Sequence, residues 1–169
     1  MTQKKEHLLI LRFSSLGDVA LTIPVIRCLL KTYPNLQITI VSRKVMEPLF
    51  KEFKGINFFA VDFKHRHKGV KGIYQLYNDL RKIPITKIAD LHSVIRTHLL
   101  CFFFKINLFQ VKKITKARFE KYLLTRKKNK KFQPLTPTIY RYADVFRRLG
   151  FPVDMQKHEF PLKKGIVPK

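Results

Sequence analysis

The side chains best suited to chemistry lie in the loop Phe13-Ser-Ser-Leu-Gly-Asp18. Ser14 and Ser15 carry hydroxyls that can hydrogen-bond a ligand, and Gly17 lets the backbone come close to one. The carboxylate of Asp18 can act as a general base when it lies about 3 Å from the hydroxyl that loses its proton. An acid at this place is also stabilised by the helix dipole alone, so the residue type leaves a structural and a catalytic interpretation open.

This loop does not fit the common nucleotide-binding motifs. It lacks the glycine spacing of the P-loop and of the G-x-G-x-x-G fingerprint, which argues against an ATPase or a dinucleotide-dependent oxidoreductase. No Asp-x-Asp pair occurs in the chain, so nothing in the sequence suggests a metal on a donor diphosphate. His65 and His67 flank Arg66 without a third ligand at a suitable spacing, so no metal site is expected there.

The composition predicts a folded chain with an anionic partner. The 35 Lys and Arg outnumber the 11 Asp and Glu, which leaves a formal net charge of +24. Disorder is excluded as the main state, because 46% of the residues are hydrophobic and 15 are Phe. A basic face on a packed body favours nucleic acid, phosphorylated lipid or a phosphorylated small molecule, and charge alone does not choose among them.

Cysteine use and hydropathy indicate a cytoplasmic protein that is at most bound to a membrane surface. Cys28 and Cys101 are far apart and flanked by apolar residues, which predicts two buried thiols rather than a disulfide framework or a metal cluster. The most apolar stretch, 99–104, ends at Lys105 and is far shorter than the ~20 residues of a membrane span.

The elements that must position these residues alternate between short apolar runs and segments of helical period. Strands are predicted at 7–12, 36–42, 56–63, 87–91 and 110–115, and helices at 45–53, 69–81, 93–104 and 138–149. One more helix is indicated by Ile26, Leu29, Leu30 and Tyr33, which share a face, and it stops before Pro34. The alternation predicts one α/β domain: a doubly wound, Rossmann-like parallel sheet with residues 8–11 as an interior strand.

Five polar residues each follow a predicted parallel strand: Ser14, Ser15, Asp18, His92 and Arg96. Ligands bind at the carboxyl ends of the strands in an open parallel sheet, so we expect these side chains to converge at one cleft. His92 can contact a ligand there or be a hydrogen-bonded structural histidine.

Three segments resemble glycosyltransferase family 9, the ADP-heptose:lipopolysaccharide heptosyltransferases. Residues 9–24 (LILRFSSLGDVALTIP) are similar to the family's amino-terminal signature, and residues 90–97 (DLHSVIRT) to its later strand-to-helix motif. Residues 138–150 (TIYRYADVFRRLG) resemble the helix that closes the family's first domain. The resemblance covers about residues 7–155, with the segments in the family's order.

The resemblance implies the amino-terminal domain of a two-domain GT-B glycosyltransferase. Residues 1–150 would form the Rossmann-like domain that binds the acceptor, and residues 151–169, which contain three prolines, would begin an extended interdomain linker. Family members are about twice as long, so the domain that binds the nucleotide sugar is expected to be absent from this chain. The chain would then be a fragment, a truncated gene product or part of a split enzyme.

The resemblance also implies roles for individual residues. Asp18 would be the general base that takes the proton of an acceptor hydroxyl, while ADP leaves from ADP-heptose with inversion of configuration. No metal and no cofactor other than the nucleotide-sugar donor are expected. The other residues implied at the acceptor site are Ser14, Ser15, Gly17, His92, Arg96, Arg118, Arg126 and Arg141. The family often has a histidine shortly before the position of Arg141, and this chain lacks it.

The expected partner is a lipid-linked, phosphorylated inner-core saccharide. Arginine suits such an acceptor, since its guanidinium pairs bidentately with carboxylates and phosphates. The protein would act on the cytoplasmic side, peripherally at the inner membrane, and nucleic acid would not be its partner.

A different class of function remains open at the level of the sequence. The stretch 112–131 is strongly basic, and the aromatic residues Phe119, Tyr122 and Phe132 lie in or beside it. Basic residues interleaved with aromatics are typical of single-strand binding, so the chain could be an α/β module for RNA or an anionic membrane surface. A decayed gene product without activity is a third alternative.

Overall fold

The computed structural model describes residues 6–116 and 135–157. Five parallel strands form one sheet: β1 (His7–Leu11), β2 (Gln37–Arg43), β3 (Ile56–Val61), β4 (Lys87–Asp90) and β5 (Gln110–Lys113). Five α-helices accompany them in the described residues: α1 (Leu16–Ala20), α2 (Thr22–Thr32), α3 (Gly69–Leu80), α4 (Ile95–Ile106) and α5 (Thr138–Arg148). The strand order is β3-β2-β1-β4-β5, which confirms the predicted α/β class and the interior position of residues 8–11.

Strand β1 is apolar without alternation because helices cover both faces of the sheet. Ile10 pairs with Ile40 of β2 on one side and with Ala89 of β4 on the other. Leu8 and Ile10 belong to the core that contains residues of α2 and α5, whereas Leu9 belongs to the core formed with α3 and α4. Successive residues of the strand therefore enter opposite cores.

The topology creates a crevice at the carboxyl ends of β1 and β4. The chain runs from β1 outward through β2 to β3, then returns across the sheet to β4 and β5. This reversal of strand order is the place where ligands bind in open α/β sheets. The Leu91 amide donates to the Leu11 carbonyl at 3.1 Å, which holds the two loops that follow these strands side by side.

Two predicted helices differ from their observed form, and proline explains both. The helix after the first strand is divided into α1 and α2, because Pro24 has no N–H for the carbonyl of Ala20. The segment predicted as a helix at 45–53 is a 3₁₀ turn, Lys44–Leu49, with Pro48 inside it. The other strands and helices differ from their predicted bounds by no more than two residues at either end.

The beginning of the predicted linker is packed on the domain. Phe151 and Met155 are buried in the core between the sheet, α2 and α5, and Met155–Lys157 forms a 3₁₀ turn. The Tyr33 hydroxyl donates to the Pro152 carbonyl at 3.0 Å. Apolar side chains at 151 and 155 account for this packing, which the prolines of the tail do not indicate. The domain boundary itself stays a prediction.

Both cysteines are buried thiols, as predicted. Burial also raises the pKa of Cys101 well above that of an exposed thiol, and this makes it unreactive. Within residues 6–116 and 135–157, no helix is long and apolar enough to cross a membrane.

Candidate functional site

A polar cleft of about 490 Å³ lies at the carboxyl edge of the sheet. It is lined by Arg12, Ser14, Ser15, Asp18, His92, Val94, Ile114, Lys116, Thr138, Arg141 and Tyr142. These residues come from the loops after β1, β4 and β5, from α1 and from the first half of α5. The cleft thus occupies the crevice that the strand order creates.

Arg12 organises the loop after β1. One guanidinium nitrogen forms an ion pair with Oδ2 of Asp18, and Nη1 donates to the Leu91 carbonyl at 2.6 Å. The Ser15 hydroxyl donates to the same carboxylate oxygen at 3.1 Å. Arg12 is buried and Asp18 is 40% exposed. Arg12 therefore binds the carboxylate from the protein interior, and a ligand in the cleft can reach its other side.

The second carboxylate oxygen of Asp18 is the one suited to accept a proton. Within the described residues, no hydrogen bond to Oδ1 is formed, whereas Oδ2 accepts from both Arg12 and Ser15. A carboxylate that is oriented through one oxygen and free at the other has the geometry of a positioned general base.

Tyr142 joins α5 to the loop after β1. Its hydroxyl donates to the backbone carbonyl of Asp18 at 3.2 Å, and its ring lies 6.0 Å from the Arg12 guanidinium carbon. Burial raises the pKa of Tyr142 to about 12, so the phenol stays protonated and keeps donating. Helix α5 therefore helps to position Asp18.

Asp90 shapes the loop after β4. Its Oδ1 accepts from the amides of His92 and Ser93 at 3.0 and 2.8 Å, and its side chain is fully buried. Ser93 adopts a φ of 50°, in the left-handed region, and these hydrogen bonds hold it there. This tight turn brings His92 to the wall of the cleft.

His92 is a neutral hydrogen-bond donor. The Phe13 amide donates to Nδ1 at 3.2 Å, so the ring proton resides on Nε2. Burial, with the nearby charges of Arg12 and Lys116, lowers the pKa of His92 to about 4. At neutral pH the imidazole can therefore donate to a ligand hydroxyl or phosphate without carrying charge.

This lowered pKa predicts a loss of stability in mild acid. Between pH 6.5 and about 4, the unfolded chain binds the proton of His92 and the folded chain does not. The free energy of unfolding should therefore have its full value above pH 6.5, and it should decrease as the pH is lowered from 6.5 to about 4. Buried His7, whose pKa is also lowered, acts in the same direction.

Urea unfolding at several pH values, together with NMR titration of His92, checks this expectation. His92→Gln should flatten the pH dependence of the unfolding free energy. Titration of His92 near its ordinary pKa would contradict it.

The charges of the cleft favour an anionic ligand. Arg12, Lys116 and Arg141 contribute three positive charges against the single carboxylate of Asp18 among the lining residues in the described part of the chain. Arg141 lies in the first turn of α5, and no described residue forms an ion pair with its guanidinium. Arg141 is therefore the cation best placed to meet a ligand, because Arg12 is already committed to Asp18.

The structure brings together most, but not all, of the predicted site residues. Ser14, Ser15, Asp18, His92 and Arg141 line the cleft. Arg118 and Arg126 lie outside the described residues.

Two predicted residues lie beside the cleft without lining it. The guanidinium of Arg96 instead lies over the ring of Phe63, 5.0 Å from its centre, because an aromatic face attracts the cation. Arg96 is therefore not among the residues that line the cleft, and its role in acceptor binding stays a prediction. Gly17 is exposed, and a Cβ there would have no atom within 4 Å, so the close approach expected at this glycine is not required by the chain's own packing.

Six lining residues were not identified from the sequence: Arg12, Val94, Ile114, Lys116, Thr138 and Tyr142. Arg12 does carry a signal, since an arginine directly after a fully apolar strand must find a buried partner. Tyr142 gives no such signal, because its helical period predicts only that it is core.

His65 and His67, in the loop between β3 and α3, have structural roles. His67 is buried, and its Nδ1 accepts from the Asp62 amide at 3.0 Å. His65 Nδ1 lies 3.0 Å from Oδ2 of Asp62. No group of three or more His, Cys, Asp or Glu side chains that could hold a metal is found in residues 6–116 and 135–157.

No protein-family model matches the chain, and no curated protein sequence matches it. Several solved structures do match. The glycosyl transferase family 9 protein from Veillonella parvula superposes with a TM-score of 0.64 at 23% identity, over 92% of this chain and 44% of that one. The E. coli heptosyltransferase WaaC, solved with ADP-2-deoxy-2-fluoro heptose, gives 0.62 at 15% identity, over 88% and 50%. A UGT transferase from Siraitia grosvenorii, solved with UDP, gives 0.50 at 13% identity, over 70% and 30%.

These similarities establish the fold. The chain has the parallel α/β architecture of one half of a GT-B glycosyltransferase, and it spans half or less of the length of the structures it matches.

Proposed function

We propose that this chain is the acceptor-binding half of a glycosyltransferase that transfers heptose from ADP-heptose to a phosphorylated inner-core saccharide. The observation that carries the proposal is the carboxylate of Asp18, held through Oδ2 and open at Oδ1 in a cationic cleft. The similarity to glycosyltransferase structures supports a transferase, and the sequence motifs at residues 9–24 and 90–97 support the heptosyl class.

In the proposed reaction, Oδ1 of Asp18 accepts the proton of an acceptor hydroxyl. The hydroxyl oxygen forms a bond to the anomeric carbon of the donor, and the bond from that carbon to the phosphate oxygen breaks on the opposite face. ADP leaves with the electron pair, and the configuration is inverted. The proton then passes from Asp18 to solvent.

The acceptor would be held by the opposite wall of the cleft. Arg141 pairs with its phosphate or carboxylate groups, because a guanidinium binds either group through two parallel hydrogen bonds. His92 donates through Nε2–H to a neutral or anionic oxygen. Such an acceptor is linked to lipid, so the protein would work peripherally at the cytoplasmic face of the inner membrane.

Binding of the acceptor by this chain alone tests the acceptor site. A phosphorylated inner-core oligosaccharide should bind in a salt-sensitive manner, and Arg141→Gln should weaken the affinity about tenfold because it removes a charge-assisted hydrogen bond. Isothermal titration calorimetry measures both. Arg81→Gln is the matched control, because Arg81 follows α3 and lies over the ring of Tyr77.

Two results would contradict the acceptor site. One is equal affinity for the dephosphorylated saccharide. The other is equal affinity for an RNA oligomer of the same charge, which would indicate the nucleic-acid module instead.

Transfer by the isolated chain is a separate expectation. The donor sugar must be held against Asp18, and in this proposal a second domain holds it. Proximity and orientation contribute up to about 7 to 11 kcal/mol to such reactions, and the 169 residues alone would lack that contribution. We therefore expect no detectable transfer of radiolabelled heptose by the lone chain. Measurable transfer would contradict this division of roles.

A further inference from the structure

Helix α4 is apolar on two opposite faces. One face is buried in the core through Thr97, Leu100, Cys101 and Phe104. The opposite face, which we call the outer α4 stripe, consists of Ile95, Leu99, Phe102 and Ile106 at helical spacing i, i+4, i+7 and i+11. Ile95, Phe102 and Ile106 are 86%, 56% and 62% exposed, and Leu99 is half-buried. A helix that is apolar all round is normally buried all round, so this stripe lacks a partner within the described chain.

Neighbouring residues enlarge the apolar surface. Tyr74 of α3 is half exposed and packs edge-on against Phe103, with the ring centres 5.4 Å apart. Leu108, just beyond the end of α4, is 94% exposed and has a φ of 61°. Leucine is disfavoured in this left-handed conformation. Because the side chain of Leu108 is almost fully exposed, packing within the domain does not explain why a leucine occupies this position.

Within residues 69–116, which include the stripe, the exposed charge is positive only. Residues 69–116 contain two carboxylates: Asp90 is buried, and the side chain of Asp79 is only 9% exposed and pairs with Arg66. The exposed charged side chains of this stretch are all cations: Lys71, Arg81, Lys82, Arg96 and Lys105. On α4 itself, Arg96 and Lys105 lie on the flanks of the stripe.

We propose that the outer α4 stripe docks on the surface of an anionic lipid bilayer. Aromatic and aliphatic side chains flanked by Lys and Arg are what an interfacial helix presents to the headgroup and acyl boundary. The apolar side chains enter that boundary, and Arg96 and Lys105 meet the anionic headgroups. A second protein surface would need carboxylates to match this pattern, whereas an anionic bilayer offers both the charge and the apolar layer.

The outer α4 stripe begins close to the cleft in the sequence. It begins at Ile95, three residues after His92, and α4 extends about 18 Å from there at 1.5 Å per residue. Under the proposed function, docking would hold the cleft within reach of a lipid-linked acceptor. The contact itself depends only on this surface and not on transfer.

The absence of tryptophan from the chain permits a direct test. Phe102→Trp introduces the chain's only tryptophan into the stripe, and Val45→Trp places one at a position that is 73% exposed on the other side of β1 from α4. With vesicles of phosphatidylglycerol and phosphatidylcholine, the emission of the Phe102→Trp variant should shift to shorter wavelength, and that of the Val45→Trp variant should not. In cosedimentation, Phe102→Gln and Ile106→Gln should each weaken vesicle binding about tenfold, with Val45→Gln as the control.

The outcomes separate this proposal from its alternatives. Circular dichroism should show unchanged folding, since the altered side chains are exposed. Vesicle binding that is lost in salt but unaffected by Phe102→Gln and Ile106→Gln would overturn the proposal, since it would indicate charge alone. Concentration-dependent dimerisation that Phe102→Gln abolishes, without any emission shift on vesicles, would also overturn it and assign the stripe to a second copy of the chain. Because these vesicles contain no saccharide, a negative result leaves the acceptor site untouched.

Discussion

Under the proposed function, Asp18→Asn is expected to lower heptose transfer by about 10²- to 10⁴-fold when this chain is combined with the carboxyl-terminal half of a related glycosyltransferase. The amide cannot accept the proton of the acceptor hydroxyl. It can still accept hydrogen bonds from Arg12 and Ser15 through its oxygen, so the loop after β1 should keep its form. Asp18→Ala should be at least as damaging, because it also leaves buried Arg12 without its partner.

The measurement is the initial rate of transfer to a phosphorylated acceptor, with acceptor affinity determined in parallel. A loss in kcat with little change in affinity is the signature of a base, whereas a structural role would weaken both. Asp144→Asn is the matched control, because Asp144 lies on α5 and pairs with Arg147 and Arg148. Unchanged transfer by Asp18→Asn in an active pair would refute the proposed chemistry.

Gly72→Ala is expected to destabilise the fold by about 3 kcal/mol, the upper range for an overpacked position. A Cβ at residue 72 would overlap the backbone carbonyl carbon of His67 and approach its Cα and oxygen to 2.7 and 2.8 Å. These are backbone atoms, and His67 is itself buried and accepts a hydrogen bond from the Asp62 amide. Neither the helix nor the loop can yield without breaking other contacts.

Urea denaturation measures this effect, and the midpoint of thermal unfolding should fall by about 6 to 12 °C for a chain of this size. Lys71→Ala, one residue earlier and exposed, is the control and should change the stability by no more than about 0.5 kcal/mol. A similarly small change for Gly72→Ala would mean that α3 does not rest on the loop as described.

Much of the fold is determined by local patterns. The run from Leu8 to Leu11 is apolar at every position, which is stable only between two covered faces and therefore predicts an interior parallel strand. Pro24 and Pro48 interrupt helices because proline has no N–H to donate. The same rule predicts the break between α1 and α2. At Phe151 and Met155, proline was given too much weight. The prolines of the tail suggested an extended linker, whereas these two apolar side chains pack into the core.

The sequence by itself determined the strand and helix alternation and the position of Ser14, Ser15, Asp18 and His92 at the carboxyl edge of the sheet, where all four line the cleft. These follow from periodicity and from the rule that loops after parallel strands share one edge. Only the tertiary structure decided which partners each side chain takes: Arg12 pairs with Asp18, and Tyr142 reaches the same loop across 124 residues.

Arg96 and Arg141 illustrate the difference. Both are arginines near helix starts at the same edge, yet Phe63 binds one guanidinium and the cleft receives the other. The neighbours available to each side chain depend on strand order and helix packing. A local segment of sequence therefore does not indicate which of them an arginine will contact. The outer α4 stripe has the same origin, because its period indicates an apolar face but only the packing of α3 and β5 leaves it open to solvent.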